Sequence, residues 1–336
     1  MTFQINEELL SHIATLYGIN SEELTYKGGF GNQFYSYSLN NKEYMIRIKS
    51  EGNVEFRSYN QVVAESDWIL YLDRNGVQVS KPQLSINNNY VEQLIVNEKK
   101  YLINSFDKAQ GTYIVDLKPE ERNKFLWEKL GEIVGKIHQL SMKFVPREEY
   151  KRKEFEEDSF LNYAQFLDPE KEKDIINVYD SLIMWLSTLN KPKTEYGMIH
   201  GDLNWGNYFI HNNVVTLFDF DSSCYNWFIY EIAILVYSLI WEDTIDHVKN
   251  FLKSFIPPFY KGYLKFHSLD REWLELMPDF LNFHDFFLYS ALSETVNAGN
   301  TTEDYAGMLE IIKKRCRSQV SKQYCTKDEW LKLFMN

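Results

Sequence analysis

The residues best suited to chemistry lie between Met198 and Asp221, in the stretch M-I-H-G-D-L-N-W-G-N-Y-F-I-H-N-N-V-V-T-L-F-D-F-D. Asp202 and Asn207 share one short segment, and Asp219 follows about a dozen residues later. Apolar Met198 and Ile199 lead in. Phe209 and Ile210 precede a polar tight turn, His211-Asn212-Asn213, and V-V-T-L-F then ends in D-F-D. Short apolar runs around an Asn-rich turn read as a hairpin. The expectation is a strand, a loop carrying Asp202 and Asn207, and a hairpin whose second strand delivers Asp219. Asp and Asn also cap turns with no chemistry attached. As a set, however, these three groups suit phosphoryl transfer. One carboxylate orients an attacking hydroxyl or takes its proton, while an amide oxygen and a second carboxylate hold Mg2+ on phosphates.

The pattern H-x-D-x-x-x-x-N followed by D resembles the phosphotransferases related to aminoglycoside kinases, choline kinases and type II homoserine kinases, which are distant relatives of the protein kinases. The resemblance implies an α+β, bilobal protein-kinase-like fold. A small β-rich N-lobe would span residues 1–106, and a larger, mostly helical C-lobe residues 107–336. It implies ATP and Mg2+ as cofactors, Asp202 as the catalytic base or hydroxyl-orienting group, and Asn207 and Asp219 as metal ligands. His200 is read as a packed residue that holds the loop. Asp221 either assists a second metal or caps the next turn with Ser222. Asn204 and Trp205 either meet the acceptor or close the loop.

Such a site needs a nucleotide grip, and the upstream chain offers one. In Y-K-G-G-F-G-N-Q-F-Y, Gly28, Gly29 and Gly31 precede an alternating strand that turns at Asn40-Asn41 into E-Y-M-I-R-I-K. The order is strand, glycine turn, strand. A Rossmann or Walker loop opens a helix, so neither fits. Glycines there let backbone N–H groups approach phosphate oxygens, with Gly29 and Gly31 the nucleotide-binding positions. Strand alternation puts Ile46 and Ile48 on one face and Met45, Arg47 and Lys49 on the other. The resemblance places the phosphate-gripping cation at Arg47. The shared face leaves Lys49 open, and a solvated basic edge is the plain alternative. An Arg would grip with a planar fork. An amphipathic helix is expected over residues 54–74, carrying Glu65 where the family's helix glutamate pairs with the strand base. Glu55 competes for that role.

Two strands, Tyr90–Val96 and Lys100–Phe106, precede S-F-D-K-A-Q-G, where the family's linker holds adenine through backbone groups. Pro119 suits the first turn of a helix running to about Leu140, whose His138 is structural. Residues 147–167, charged and then aromatic, read as helix with a mobile start. Asp168-Pro169-Glu170 caps a helix to Leu189. Trp227 to Trp241 reads as a buried helix, followed by further helices broken at Pro257-Pro258, Pro278 and Thr301-Thr302. Thr326 to Glu329 is a capping box.

Composition bounds the rest. The chain has 336 residues, net charge −12, 44% hydrophobic and 16% aromatic residues. That describes a folded acidic protein without the basic surface nucleic acid needs. The longest apolar run, Ile232 to Ile240, is too short to span a membrane. The three cysteines form no C-x-x-C or Cys/His cluster, which argues against a disulfide framework or zinc site and fits a reducing cytoplasm. The N-terminus lacks a basic region and a long apolar run, so no signal peptide is expected. The reading is an ATP- and Mg2+-dependent phosphotransferase acting on a hydroxyl of a small molecule of amino alcohol, aminoglycoside or amino acid type. The alternatives are a Ser/Thr protein kinase of the same superfamily and an inactive nucleotide-binding regulator. The short path from Asp219 to the next helix favours the small acceptor.

Overall fold

The computed structural model describes residues 5–29, 31–51, 57–162, 165–240, 244–297 and 303–335. Val54, Glu55, Phe56, Trp241, Thr301 and Thr302 lie outside the described residues. Two compact units are present. The first comprises Met1–Gly111, Val145–Arg152 and Thr216–Asp221; the second comprises Thr112–Phe144, Lys153–Val215 and Ser222–Asn336.

The first unit is a sheet with a helix on each face. Asn6 caps α1 (Glu7–Leu16) by accepting from Leu9 N at 2.9 Å. Next come β1 (Thr25–Gly28), β2 (Gln33–Leu39), β3 (Lys42–Ser50), α2 (Tyr59–Arg74), β4 (Pro82–Gln83), β5 (Glu92–Val96) and β6 (Lys99–Asp107). Strand order is β1-β2-β3-β6-β4, with β5 also on β6, and every pairing is antiparallel. The hairpins turn at Asn40-Asn41 and Asn97-Glu98 with positive φ at both central residues, the backbone that matches the strands' right-handed twist. On one face Ile46, Ile48 and Ile103 join Leu9, Ile13 and Tyr35 in an apolar core. On the other face Arg47 and Lys49 are each 1% exposed. So the expected parity holds, but the basic face is buried rather than solvated. The helix begins at Tyr59, later than the 54–74 pattern predicts. Ser58 Oγ accepts from Gln61 N and Gln61 Oε1 from Ser58 N, a capping box that fixes the start.

The second unit is largely helical, with α3 (Lys124–Ser141), α4 (Lys173–Ser187), β7 (Tyr196–Ile199), β8 (Tyr208–His211), the first half of β9 (Val214–Leu217), β10 (Cys224–Trp227), α5 (Phe228–Leu239), α6 (Ile245–Tyr263), α7 (Arg271–Leu274), α8 (Met277–Asn297), α9 (Glu303–Ser318) and α10 (Lys327–Met335). Four expectations change. Asn123 Oδ1 accepts from Phe125 N and Leu126 N, so α3 starts there and Pro119 sits in the preceding turn. Among the described residues of 147–167 there is no α-helix: Phe155–Glu157 and Ser159–Leu161 form short 3-10 turns, because the charged run carries no apolar stripe to bury. Asp168 Oδ1 accepts from Glu170 N and Lys171 N in a turn, and α4 begins only at Lys173. Pro257 and Pro258 lie inside α6 rather than breaking it. Each interior proline costs about 3 kcal/mol. Against that, α6 buries Leu252, Phe255, Ile256, Phe259 and Tyr263, each fully or almost fully. The α3–α6 crossing is close enough to require glycine: a Cβ at Gly131 would lie 1.8 Å from Phe259 O. The capping box opens α10 as expected, with Thr326 N donating to Glu329 Oε2 at 2.7 Å. Among the described residues, no helix is long and apolar enough to cross a membrane.

Candidate active site

Asp202 sits in the loop between β7 and β8, and the loop is built around it. Asn204 Nδ2 donates to Asp202 Oδ1 at 2.8 Å, and Asn207 Nδ2 donates to both Asp202 Oδ2 and Asp202 O at 2.8 Å. Asn204 Oδ1 in turn accepts from Gly206 N at 2.7 Å. With its Nδ2 hydrogens spent on Asp202, Asn207 keeps Oδ1 as its remaining polar atom, the atom a hard cation would take.

The loop is also held from below. Glu231, fully buried on α5, accepts from His200 N at 2.5 Å and from Gly201 N at 3.2 Å. Burial first, and Asp202 secondarily, push its carboxyl up to about 8 against the pull of those two N–H groups. His200 is buried, and its Nδ1 lies 3.4 Å from Asp202 N, in keeping with a packed, loop-holding role. Gly201 has φ +80, and a Cβ there would lie 2.2 Å from Ser222 O, so only glycine fits. Trp205 is partly exposed and makes an edge contact with Tyr113 at 5.8 Å, and Tyr113 makes another with Phe209 at 4.7 Å.

The first unit holds the cationic set. Arg47 Nη2 donates to Glu65 Oε2 at 2.6 Å and Nε to Asn104 Oδ1 at 3.3 Å, while the guanidinium lies 5.2 Å from the Phe106 ring centroid. Nη1 is left facing Asp219 Oδ1 at 3.6 Å and Asp221 Oδ1 at 3.9 Å. Lys49, the competing base, takes a different partner: its Nζ donates to Asp221 Oδ2 at 2.6 Å. Burial on its own would raise the Asp221 carboxyl, but Lys49 and Arg47 overcome it and hold the group well below the usual carboxylate range.

Asp219 has φ +60, a left-handed conformation that Asp tolerates better than most residues. Its side chain is 37% exposed, yet Oδ1 is buried without a hydrogen-bond donor. Burial and the neighbouring Asp221 raise its pKa, and Arg47 opposes them. That orphaned oxygen fits a divalent cation. Among the described residues no three His, Cys, Asp or Glu groups converge as a metal cage. A site of few protein oxygens is the form Mg2+ takes when phosphates and water complete its shell.

The glycine flap joins β1 to β2. Gly28, Gly29 and Gly31 all have positive φ, and a Cβ on Gly29 would meet Asn32 O at 2.2 Å. The structure thus gathers Arg47, Glu65 and Asp219 in one unit and Asp202 with Asn207 in the other. Sequence reasoning passed over Asn32, Arg152 and Glu231. Glu231 had a visible signal, a lone acid at the start of an apolar run.

Residues 24–276 match the model of the APH family, the phosphotransferase enzyme family. The chain belongs to that family. This phosphotransferase is 29% identical over 307 residues to the amicoumacin kinase of Bacillus subtilis strain 168, spanning 90% of this chain and 89% of the relative. A solved amicoumacin kinase in complex with AMP-PNP, Ca2+ and Ami superposes with a TM-score of 0.83 at 29% identity, covering 94% of each chain. A microcompartment-associated aminopropanol kinase shares the fold at 15% identity, with a TM-score of 0.74 over 98% of this chain and all of its own. The protein-kinase-like fold expected from the sequence is therefore the fold of this family of small-molecule phosphotransferases.

Proposed function

We propose that this phosphotransferase moves the γ-phosphoryl group of ATP to a hydroxyl of a small molecule, with Mg2+ as the metal. We assign nucleotide grip to residues 1–106 and acceptor binding to residues 107–336. The observation that carries the reading is Asp202, whose two carboxylate oxygens are fixed at 2.8 Å by Asn204 and Asn207. A carboxylate so held can orient an acceptor hydroxyl and take its proton as the new P–O bond forms and the bond to the β-phosphate oxygen breaks, releasing ADP. It needs no unusual acidity, because phosphoryl transfer is catalysed mostly by positioning and charge neutralisation. Arg47, held rigid by Glu65, would meet phosphate oxygens through Nη1, and Gly29 and Gly31 would bring backbone N–H groups to them. Asn207 Oδ1 and Asp219 would hold Mg2+, which supplies charge neutralisation at the phosphates.

The acceptor class is an amino alcohol, aminoglycoside or amino acid hydroxyl, and amicoumacin is the first compound to assay given the 29% identical relative. The short path from Asp219 to α5 leaves no long loop for docking a protein substrate, and the setting is a reducing cytoplasm. Coupled ADP-release assays over these acceptors test the reading. Asp202→Asn should lower kcat by at least about 100-fold with the thermal unfolding midpoint unchanged. Turnover near the wild-type level would remove Asp202 from the chemistry.

A further inference from the structure

Asp221 lies two residues beyond Asp219; its Oδ2 and its backbone carbonyl are engaged, while Oδ1 makes no hydrogen bond and faces Arg47 Nη1 at 3.9 Å. Its Oδ2 accepts from Lys49 Nζ at 2.6 Å and from Asn32 Nδ2 at 3.3 Å. The same Asn32 amide accepts from Lys49 Nζ through Oδ1 at 3.1 Å. The amide therefore turns its oxygen to the ammonium and its nitrogen to the carboxylate, and the reverse orientation would set NH2 against NH3+. The backbone is tied as well: Arg152 Nη2 donates to Asp221 O, and its Nη1 donates to Gln61 O at 2.9 Å, on the helix that carries Glu65. Asn32, Lys49 and Asp221 are all nearly inaccessible, at 5%, 1% and 7% exposure.

Asn32 stands directly after Gly31, at the end of the flap. Lys49 stands two positions after Arg47. One buried triad thus links the flap, β3 and the D-F-D segment. We propose that Asp221 is a positioning residue and not a second metal ligand: with Lys49 and Asn32 it fastens the chain directly after Gly31 to the segment bearing Asp219, so that the placements of β2's start and of Asp219 are set together. Its Oδ2 is committed to the Lys49 ammonium at 2.6 Å and its Oδ1 faces the Arg47 guanidinium at 3.9 Å, so a metal ion on this carboxylate would sit against two fixed positive charges. Removing only one charge of such a pair would strand the other in the interior. The inference rests on the phosphotransfer reading only where nucleotide is concerned.

The test begins with Asn32→Ala, which cuts the flap from the pair while leaving both charges matched. Amide exchange over residues 31–36 should speed up by about tenfold, and affinity for ADP with Mg2+ should fall by about tenfold, the size of one or two charge-assisted hydrogen bonds. The paired variant Lys49→Met/Asp221→Asn keeps net charge constant. It should leave the Mg2+ concentration for half-maximal activity within about threefold of wild type, and adding Asn32→Ala to it should have little further effect on ADP affinity. Unchanged flap exchange in Asn32→Ala overturns the tether. A tenfold rise in Mg2+ requirement in the paired variant makes Asp221 a metal ligand and overturns the assignment. A wild-type protein that binds no adenine nucleotide overturns the phosphotransfer reading instead, and flap exchange still decides the tether.

Discussion

Arg47 and Glu65 each leave about 1% of their side chain exposed, with 2.6 Å between Nη2 and Oε2. Two charges that deep are tolerable only as a pair. Removing one leaves the other desolvated and costs about 3–5 kcal/mol, whereas replacing both with apolar side chains of similar size can be near neutral. Glu65→Ala should therefore lower the urea unfolding midpoint far more than Arg47→Met/Glu65→Leu. Both should lose nucleotide binding, since Arg47 is either misplaced or absent. Equal midpoints in the two variants would mean that the pair is not what holds Arg47. The Arg47 side chain could not be chosen over Lys49 from sequence, because strand parity puts both on one face. What separates them is partner identity, Glu65 for one and Asp221 for the other.

Helix packing decides how glycines read. Gly131 on α3 has Phe259 O at 1.8 Å from the position a Cβ would occupy, while Gly307 on α9 has nothing within 4 Å. Helix propensity favours Ala over Gly by about 0.5–1 kcal/mol in either place. Gly307→Ala should gain roughly that amount in thermal unfolding. Gly131→Ala should lose more than it gains, about 2 kcal/mol or more, because two backbones would have to separate. A stabilised Gly131→Ala would disprove the close crossing. The same competition explains Pro257 and Pro258: local preference says the helix stops, and the apolar stripe of α6 against α3 carries it through. The strand elements were legible from Asn40-Asn41, Asn97-Glu98 and Asn212-Asn213, whose turn chemistry is local. The stretch at 147–167 was not, since charge-rich sequence supports a helix only where a face can be buried.

At the scale of the whole molecule, buried titratable groups of opposite sign shape the response to pH. Burial, with Arg315 nearby, pulls the His284 ring down to about 3, and burial holds His138 well below its usual value. Each is neutral in the fold and gains a proton near pH 6.5 when unfolded. Their contribution to stability is complete above pH 6.5 and is lost as pH falls below it, by about 1.4 kcal/mol per pH unit for each ring. Glu195 and Glu231 run the other way. Burial raises them to about 7 and about 8, so they favour the fold at low pH and weaken it as pH climbs from about 4.5 through those values. The two effects oppose each other, and wild-type stability should change little between pH 6.5 and 5.5. His284→Gln removes one ring and exposes the difference: its urea unfolding free energy should rise relative to wild type by about 1 kcal/mol between pH 6.5 and 5.5. No relative rise would show that the buried His284 ring is not held neutral in the fold.

The sequence by itself determined the family resemblance and the order of parts: a glycine flap, a basic strand, then Asp202, Asn207 and Asp219 at their spacing. These are local patterns, set by turn residues, strand alternation and motif distance, and they survive without any knowledge of packing. Tertiary structure alone decided which cations are buried and with whom, why Asn207 has only its oxygen left, that Glu231 holds the backbone of His200 and Gly201 about 30 positions before it, and that Asp221 bonds Lys49 and Asn32. Asn32 and Asp221 are 189 positions apart. No periodicity or propensity reports a contact across that separation, because it arises only when sheet, helix and D-F-D segment bury a common charged face and each charge must find its partner there.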